Sequence, residues 1–308
     1  MNKKQLTQKI KNYSLDTGFD LFGITNPTKQ LKNFKYLDNW LESGYDASMK
    51  WIANRQEERK NIYKYFPEVK SIISLGINYY SKRTNINESK YKISSYAWGE
   101  DYHILIKEKL YSIIDFIKQY DANFKYRVCV DTSPIMEKAW AQEAGLGWIG
   151  KHTNLINKKI GSWFFLSEIL LDFELEYSNK FEEDLCGTCT KCIDECPTDA
   201  IEPYNLNSNK CISYLTIEHR DDIDVAYDDK LDNWIYGCDI CQDVCPWNIK
   251  FSEISSEKGF HIREKIETML KDDWDNLSES KYKELFKKSA VKRTKYKGLK
   301  RNIKLNKN

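Results

Sequence analysis

Glycine and proline are scarce in this 308-residue sequence, at 13 and 6 residues, which excludes collagen-like and low-complexity architectures. No uninterrupted apolar run approaches the roughly 18 residues that cross a bilayer; the best candidate, 162–171, is short and broken by Glu168. The N-terminus lacks the apolar core of a secretory signal, because Met1-Asn2-Lys3-Lys4-Gln5-Leu6 leads into a charged amphipathic segment. Nine cysteines therefore do not read as a secreted disulfide framework, and a soluble protein in the reducing cytoplasm is expected. Two nucleotide signatures are also missing. No G-x-G-x-x-G opens a strand-to-helix turn and no G-x-x-x-x-G-K-[ST] is present, so dinucleotide-binding and P-loop readings lack support.

What is present is unevenly distributed. A composition of 41% hydrophobic and 31% charged residues suits one large or two ordinary folded domains. The net charge of +2 conceals two opposed regions. Residues 170–245 carry 19 acidic and 5 basic side chains together with eight of the nine cysteines, whereas 281–308 carry 12 Lys and Arg against Glu284 alone. Each region has a plain reading as solvated surface. The acidic stretch also suits a low-potential redox centre or a basic partner, and the basic one can displace phosphate counterions.

Residues 1–180 read as mixed helix and strand. Leu6, Ile10 and Tyr13 have helical spacing, and helices are also expected at 31–41 and 102–119, where Leu105, Leu110, Ile113, Ile114 and Ile117 share a face. Strands are expected at 21–25, 71–79, 126–130, 152–156 and 162–171, the last two joined by a Lys-Lys-Ile-Gly turn. Asp131-Thr132-Ser133-Pro134 reads as a start signal for a helix over 135–144. The order is not a regular βαβ alternation, so an α+β sandwich is expected rather than a Rossmann fold. The texture turns cysteine-rich over 181–254, a second domain, and returns to charged helical sequence over 255–308.

Cys186, Cys189, Cys192 and Cys196-Pro197 form C-x2-C-x2-C-x3-C-P, the bacterial ferredoxin run for a [4Fe–4S] cluster whose fourth cysteine crosses to the other cluster. Structural zinc prefers paired C-x2-C units across a longer loop. Cys238, Cys241 and Cys245-Pro246 repeat the last three positions of the run; the first would be Ile235, and Cys211 is the substitute. Crossed ligation then assigns Cys186, Cys189, Cys192 and Cys245 to one cluster and Cys196, Cys211, Cys238 and Cys241 to a second. Cys129 is left over as a small buried hydrophobe. Two clusters that pass single electrons imply a donor and an acceptor, and the first 180 residues must hold the acceptor.

Longer motifs say more. Val130-Asp131-Thr132, Glu137-Lys138-Ala139-Trp140-Ala141, Ala144-Gly145-Leu146-Gly147-Trp148-Ile149-Gly150-Lys151, Trp98-Gly99-Glu100-Asp101-Tyr102-His103, Cys211-Ile212-Ser213-Tyr214-Leu215-Thr216 and Tyr236-Gly237-Cys238-Asp239-Ile240-Cys241 resemble the epoxyqueuosine reductase family, in order along the chain. The resemblance implies a nitroreductase-like cobalamin-binding domain, two [4Fe–4S] clusters and reduction of epoxyqueuosine to queuosine at the tRNA wobble position, the final step of queuosine biosynthesis. It is a resemblance to a short form without C-terminal helical repeats, and implies a monomer served by a small ferredoxin- or flavodoxin-type electron donor.

Carried over position by position, the resemblance makes Asp131 the proton donor, expected to be desolvated after its apolar strand. It places Arg59, Asp131, Leu155, Ile156, Asn157, Leu166 and Asp239 near the corrin, and Arg293, Lys295, Lys297, Arg301 and Asn302 on tRNA. Asp101-Tyr102-His103 is superficially similar to the D-x-H-x-x-G motif that ligates cobalt through His, but Ile106 occupies the Gly position, so His103 reads as a helix-start residue beside the cavity and cobalt is expected without a protein His below it. Two other readings compete: a reductive dehalogenase-like cobalamin protein, for which an export signal and no basic tail are expected, and an electron-transfer subunit of a redox complex, which leaves the first domain idle.

Overall fold

In the computed structural model, residues 2–28, 34–81, 91–227 and 229–307 are described. Four apolar runs pair into one antiparallel sheet. They are β1 (Leu21–Thr25), β2 (Ser71–Asn78), β3 (Tyr126–Cys129) and β4 (Phe164–Leu171), in the order β1-β2-β4-β3. Every residue of β2 is buried, and all of β4 but Leu166; a strand covered on both faces reads as a continuous apolar run, with no alternation.

Helices cover both faces. From α1 (Lys3–Asp16) and α2 (Tyr102–Lys118), Ile10 and the stripe Ile106, Leu110, Ile113, Ile114 and Ile117 pack on Ile73, Leu75, Ile77, Ile169 and Leu171. On the opposite face α3 (Glu137–Glu143) lays Ala139 and Trp140 on Ile72, Cys129 and Leu170. Its C-terminal end rests on bare backbone of β1: a Cβ on Gly23 would stand 2.1 Å from the Ala144 carbonyl oxygen. Gly145 then takes the left-handed conformation, φ 86°, in which helices commonly end.

The mixed fold is the one expected, with local differences. The expected helix over 31–41 is seen as Phe34–Glu42, its residues 31–33 lying outside the described ones. The helix expected from 135 begins at Glu137, and Asp131 is not its N-cap: Asp131 has φ 56°, and the N-cap position falls to Met136, which gives no side-chain bond. Leu155–Ile156 pairs with Trp148–Ile149 instead of β4, while Asn157 and Gly161 bridge to close the Lys-Lys-Ile-Gly turn.

The cysteine-rich stretch is built from short elements, among them α4 (Ile212–Ile217). Strand Trp234–Tyr236 pairs in parallel with Lys92–Ile93, drawing this part onto a segment 140 residues earlier. The basic C-terminal segment is not a free tail. Its helix α5 (Lys295–Leu305) buries Leu299 and Ile303, which join Trp274, Tyr282, Phe286 and Val291 in a core with Tyr91, Ile93, Trp98, Ile235 and Tyr236. Truncating Leu299, which is 0% exposed, to Ala is expected to cost about 2–5 kcal/mol and to lower Tm in a thermal melt. An unchanged melt would mean that the segment does not belong to this core.

Candidate functional site

The bend between β3 and α3 carries Asp131 in the left-handed region, where Asp is tolerated and strain is commonly stored for function. Its main-chain N–H donates to Glu137 Oε1 at 2.7 Å. Its carboxylate Oδ2 lies 3.2 Å from Nε2 of His103, whose Nδ1 lies 2.8 Å from Asp101 Oδ1. Asp101 is fixed in turn, because it caps α2 by accepting the His103 main-chain N–H at 3.1 Å. The result is an Asp101–His103–Asp131 chain pinned to a helix start.

The charges along this chain follow from their neighbours. The hydrogen bond from His103 holds the Asp101 carboxyl below its ordinary value. Burial works against a charged His103 ring, but the hydrogen bonds and negative charges of Asp101 and Asp131 outweigh it and raise the imidazole to about 9, so it carries a proton at neutral pH. Burial, then the Asp131 charge, pushes the Glu137 carboxyl up, and burial pulls the Lys138 ammonium down. The Asp131 side chain is 57% exposed, contrary to the desolvation expected of it, while the neighbouring Glu137 is half-buried. Lys138 is exposed, and its Nζ donates to the Thr153 carbonyl at 2.9 Å.

Aromatic side chains form one wall. Tyr102 stacks between His103 and Phe165, at 4.0 and 4.3 Å between centroids. The Tyr96 hydroxyl donates to that of Tyr236, 3.1 Å away, which donates to the Ala290 carbonyl at 2.7 Å. Arg59 is half-buried beside Glu137 and Asp131; its Nη1 donates to the Ile135 carbonyl at 3.3 Å and its buried Nε meets no acceptor among the described residues. Arg293, within electrostatic reach of Asp131, grips both oxygens of Glu218 and lies 5.0 Å over the exposed ring of Trp51.

The cysteines fall into two sets. Cys186, Cys189, Cys192 and Cys245 line one cavity of about 140 Å³, together with Lys151, His152, Ile156, Leu185, Pro246 and Trp247. Burial raises the Cys192 thiol to about 11, helped by the charges of Cys186, Cys245 and Cys189. Burial likewise raises Cys238 and Cys241; Cys238 also feels the charges of Cys241 and Cys211, and Cys241 those of Cys211, Cys192 and Cys196. The two short helices that carry Cys192 and Cys241, Lys191–Asp194 and Ile240–Asp243, touch, which brings the sets side by side. Among the described residues no three His, Cys, Asp or Glu side chains converge tightly enough for one metal ion; these thiols surround a volume instead, which suits a cluster. Cys129 is fully buried away from both sets, with its thiol raised to about 12 by burial.

With this geometry in hand, comparison with known proteins is decisive. Residues 185–248 match the profile of a 4Fe-4S double cluster binding domain, and residues 59–132 that of Epoxyqueuosine reductase QueG, DUF1730. The epoxyqueuosine reductase of Leadbetterella byssophila is 45% identical over 97% of this chain and 98% of its own. The chain belongs to the epoxyqueuosine reductase family. The Escherichia coli epoxyqueuosine reductase is 36% identical over 95% of this chain and 78% of its own. A solved epoxyqueuosine reductase bound to a tRNA-Tyr epoxyqueuosine-modified stem loop superposes with TM-score 0.90, at 28% identity over 99% of this chain and 81% of that one. A Bacillus subtilis epoxyqueuosine reductase, seen with its aspartate catalytic loop swung out of the active site, gives TM-score 0.88 at 26% identity, over 99% of this chain and 82% of that one.

Not every residue expected from the epoxyqueuosine reductase resemblance stands where it was expected. Asn302 is fully buried and donates to the Thr216 and Ile235 carbonyls, both at 2.8 Å. Arg301 spends its guanidinium on the carbonyls of Leu215, His219 and Asp221. Both satisfy carbonyls at the end of α4, which a helix leaves unpaired, and neither faces outward to an RNA; Arg293, Lys295 and Lys297 are exposed. Asp239, 1% exposed, accepts from the Ser94 hydroxyl and from the Ser95 N–H and hydroxyl at 2.8 and 2.7 Å, so its carboxylate is committed to the interior. Ile156 lines the cysteine cavity, while Leu155 and Leu166 pack with Ala141, Ala144 and Leu146. Asn157 donates to the Leu146 carbonyl at 2.6 Å. Only Arg59 of these expected corrin neighbours lies within electrostatic reach of Asp131.

Glu137, Lys138 and Trp51 were not singled out by sequence. Glu137 and Lys138 sit in the Glu-Lys-Ala-Trp-Ala motif directly after Asp131, and that adjacency was the available signal.

Proposed function

We propose that this protein reduces epoxyqueuosine to queuosine at the wobble position of tRNA, with Asp131 as the proton donor. The observation that carries this reading is the Asp101–His103–Asp131 chain, which holds an exposed carboxylate against a protonated imidazole. Turning an epoxide into an alkene and water takes two electrons and two protons. In the resting site His103 holds the proton and Asp131 the negative charge, so Asp131 takes the proton from His103, 3.2 Å away, and passes it to the departing oxygen. The second proton comes from solvent, to which the Asp131 side chain is open.

Residues 1–180 are read as a nitroreductase-like cobalamin domain, 181–254 as a ferredoxin-like domain with two [4Fe–4S] clusters, and 255–308 as the helical RNA-facing segment. The donors present fit these groups. Cys186, Cys189, Cys192 and Cys245 line a cavity, Cys211, Cys238 and Cys241 lie within electrostatic reach of one another, and Arg59 keeps a buried Nε free of any acceptor among the described residues near Asp131. When bound, the clusters would supply single-electron relay and cobalamin the two-electron reduction. Cys241 acts electrostatically on Lys138, which also feels Asp131, and this favours the Cys196, Cys211, Cys238 and Cys241 set as the one nearer Asp131. The other set is the entry point for a small donor protein, steered by the surrounding acidic surface.

RNA bases are read where they are unstacked, and an enzyme acting on a base takes it out of the stack. The rim offers what such a nucleotide needs: the exposed Trp51 ring as a stacking surface, with Arg293, Lys295 and Lys297 for phosphates. Replacing Lys295 and Lys297 together with Ala is expected to weaken tRNA binding and to flatten its salt slope by about 0.7 per lost phosphate contact, read by titration at several salt concentrations. An unaltered slope would remove these lysines from the RNA interface. The reaction is tested by anaerobic reconstitution with iron, sulfide and cobalamin, followed by nucleoside analysis of treated tRNA; reconstituted enzyme that leaves epoxyqueuosine intact contradicts the reading.

A further inference from the structure

One buried polar atom at the cysteine cavity has no role in the account above. His152 is 4% exposed and belongs to the turn that follows Trp148–Ile149. Its Nδ1 accepts the main-chain N–H of Asn154 at 3.2 Å. A ring nitrogen that accepts carries no proton, so the neutral imidazole must keep its hydrogen on Nε2. Nε2 is therefore a donor, and it meets no acceptor among the described residues. Buried donors are almost always satisfied, and one that is not calls for a partner from outside the chain.

The surroundings say which partner. His152 lines the same cavity as Cys186, Cys189, Cys192 and Cys245. The neighbouring Lys151 ties the turn to the cysteine loop, its Nζ donating to the carbonyls of Gly187 and Cys189 at 2.7 and 3.0 Å. The imidazole is thus held in place from both sides, by Asn154 behind and by the Lys151 anchor beside it. The acceptors that a cluster would bring to this cavity are its sulfide and thiolate sulfurs.

We propose that His152 donates a hydrogen bond from Nε2 to a sulfur of the [4Fe–4S] cluster held by Cys186, Cys189, Cys192 and Cys245, and so sets the reduction potential of that cluster. The inference rests on the cluster assignment above. Hydrogen bonds to cluster sulfur are among the factors that set these potentials, and a donor favours the reduced state because that state carries the extra negative charge. His152 is a positioning and tuning residue here.

The test uses the anaerobically reconstituted holoenzyme and its His152→Leu and His152→Gln variants, titrated electrochemically and read by EPR. In His152→Leu one cluster is expected to become harder to reduce, its reduced-to-oxidised ratio at fixed potential falling about tenfold, or about 59 mV for one electron. The other cluster stays in place, and His152→Gln, which retains an N–H donor, shifts less. Full iron content with both potentials unmoved overturns the inference and leaves the cluster assignment standing. Unchanged iron content in Cys245→Ser would instead overturn the assignment beneath it. Wild-type enzyme labelled with 15N-histidine covers the case in which His152→Leu does not assemble: pulsed EPR of the reduced cluster should show a histidine nitrogen coupling, and its absence rules the hydrogen bond out.

Discussion

Asp131→Asn should lose turnover by a factor of about 10²–10⁴, the range for removal of a general acid, while iron content, corrin uptake and tRNA affinity hold. Asn is nearly the same size and tolerates the left-handed backbone at this position; what it cannot do is give up a proton to the departing oxygen. A single-turnover assay under reducing anaerobic conditions, run beside a binding titration, separates the two. Near wild-type rates in the variant would remove Asp131 from the chemistry. The pH profile adds a second readout. His103 is raised to about 9, so it is loaded below that pH and empties as pH climbs through it. The wild-type rate should therefore fall on the alkaline side near 9, and His103→Gln should show a lower rate without that limb. If the limb persists in His103→Gln, another group supplies the proton.

Cys245→Ser should erase the same EPR signal as Cys186→Ser, although the two cysteines are far apart in sequence and Cys245 belongs to the second run. Each variant should lose about four of eight irons and, because the electron relay is cut, all measurable turnover. Cys211→Ser and Cys238→Ser should together define the other signal. The physical reason is the cavity in which Cys245 stands with Cys186, Cys189 and Cys192. If Cys245→Ser removed the signal shared by Cys238 and Cys241 instead, each run would hold its own cluster and the crossed arrangement would be wrong.

Spacing made the cysteines readable because a thiolate run has few alternative uses, and apolar periodicity made the sheet and α2 readable because burial on both faces leaves continuous apolar strands. Other features had no such imprint. The Asp131 bend looked like an N-cap because Asp-Thr-Ser-Pro is the usual vocabulary of helix starts, and a positive φ leaves no mark on a non-glycine residue. The C-terminal segment looked like a free basic tail because lysines on the outer face outnumber Leu299 and Ile303 on the inner one. Asn302 and Arg301 share that helix yet turn inward, to carbonyls of α4 supplied from about 80 positions earlier. Asp239 is drawn inside by the donors of Ser94 and Ser95, again from a distant part of the chain. His152 carries no mark in the sequence, since only the assembled cavity shows that one of its nitrogens lacks a partner among the described residues.

The most direct measurement of the central claim is mass spectrometry of nucleosides from epoxyqueuosine-containing tRNA, incubated anaerobically with the reconstituted enzyme and a low-potential electron donor. The account predicts that the modified wobble nucleoside loses one oxygen atom and becomes queuosine, in wild type and not in Asp131→Asn. Epoxyqueuosine recovered unchanged from fully iron- and cobalamin-loaded wild-type enzyme, or equal conversion by both proteins, would contradict it.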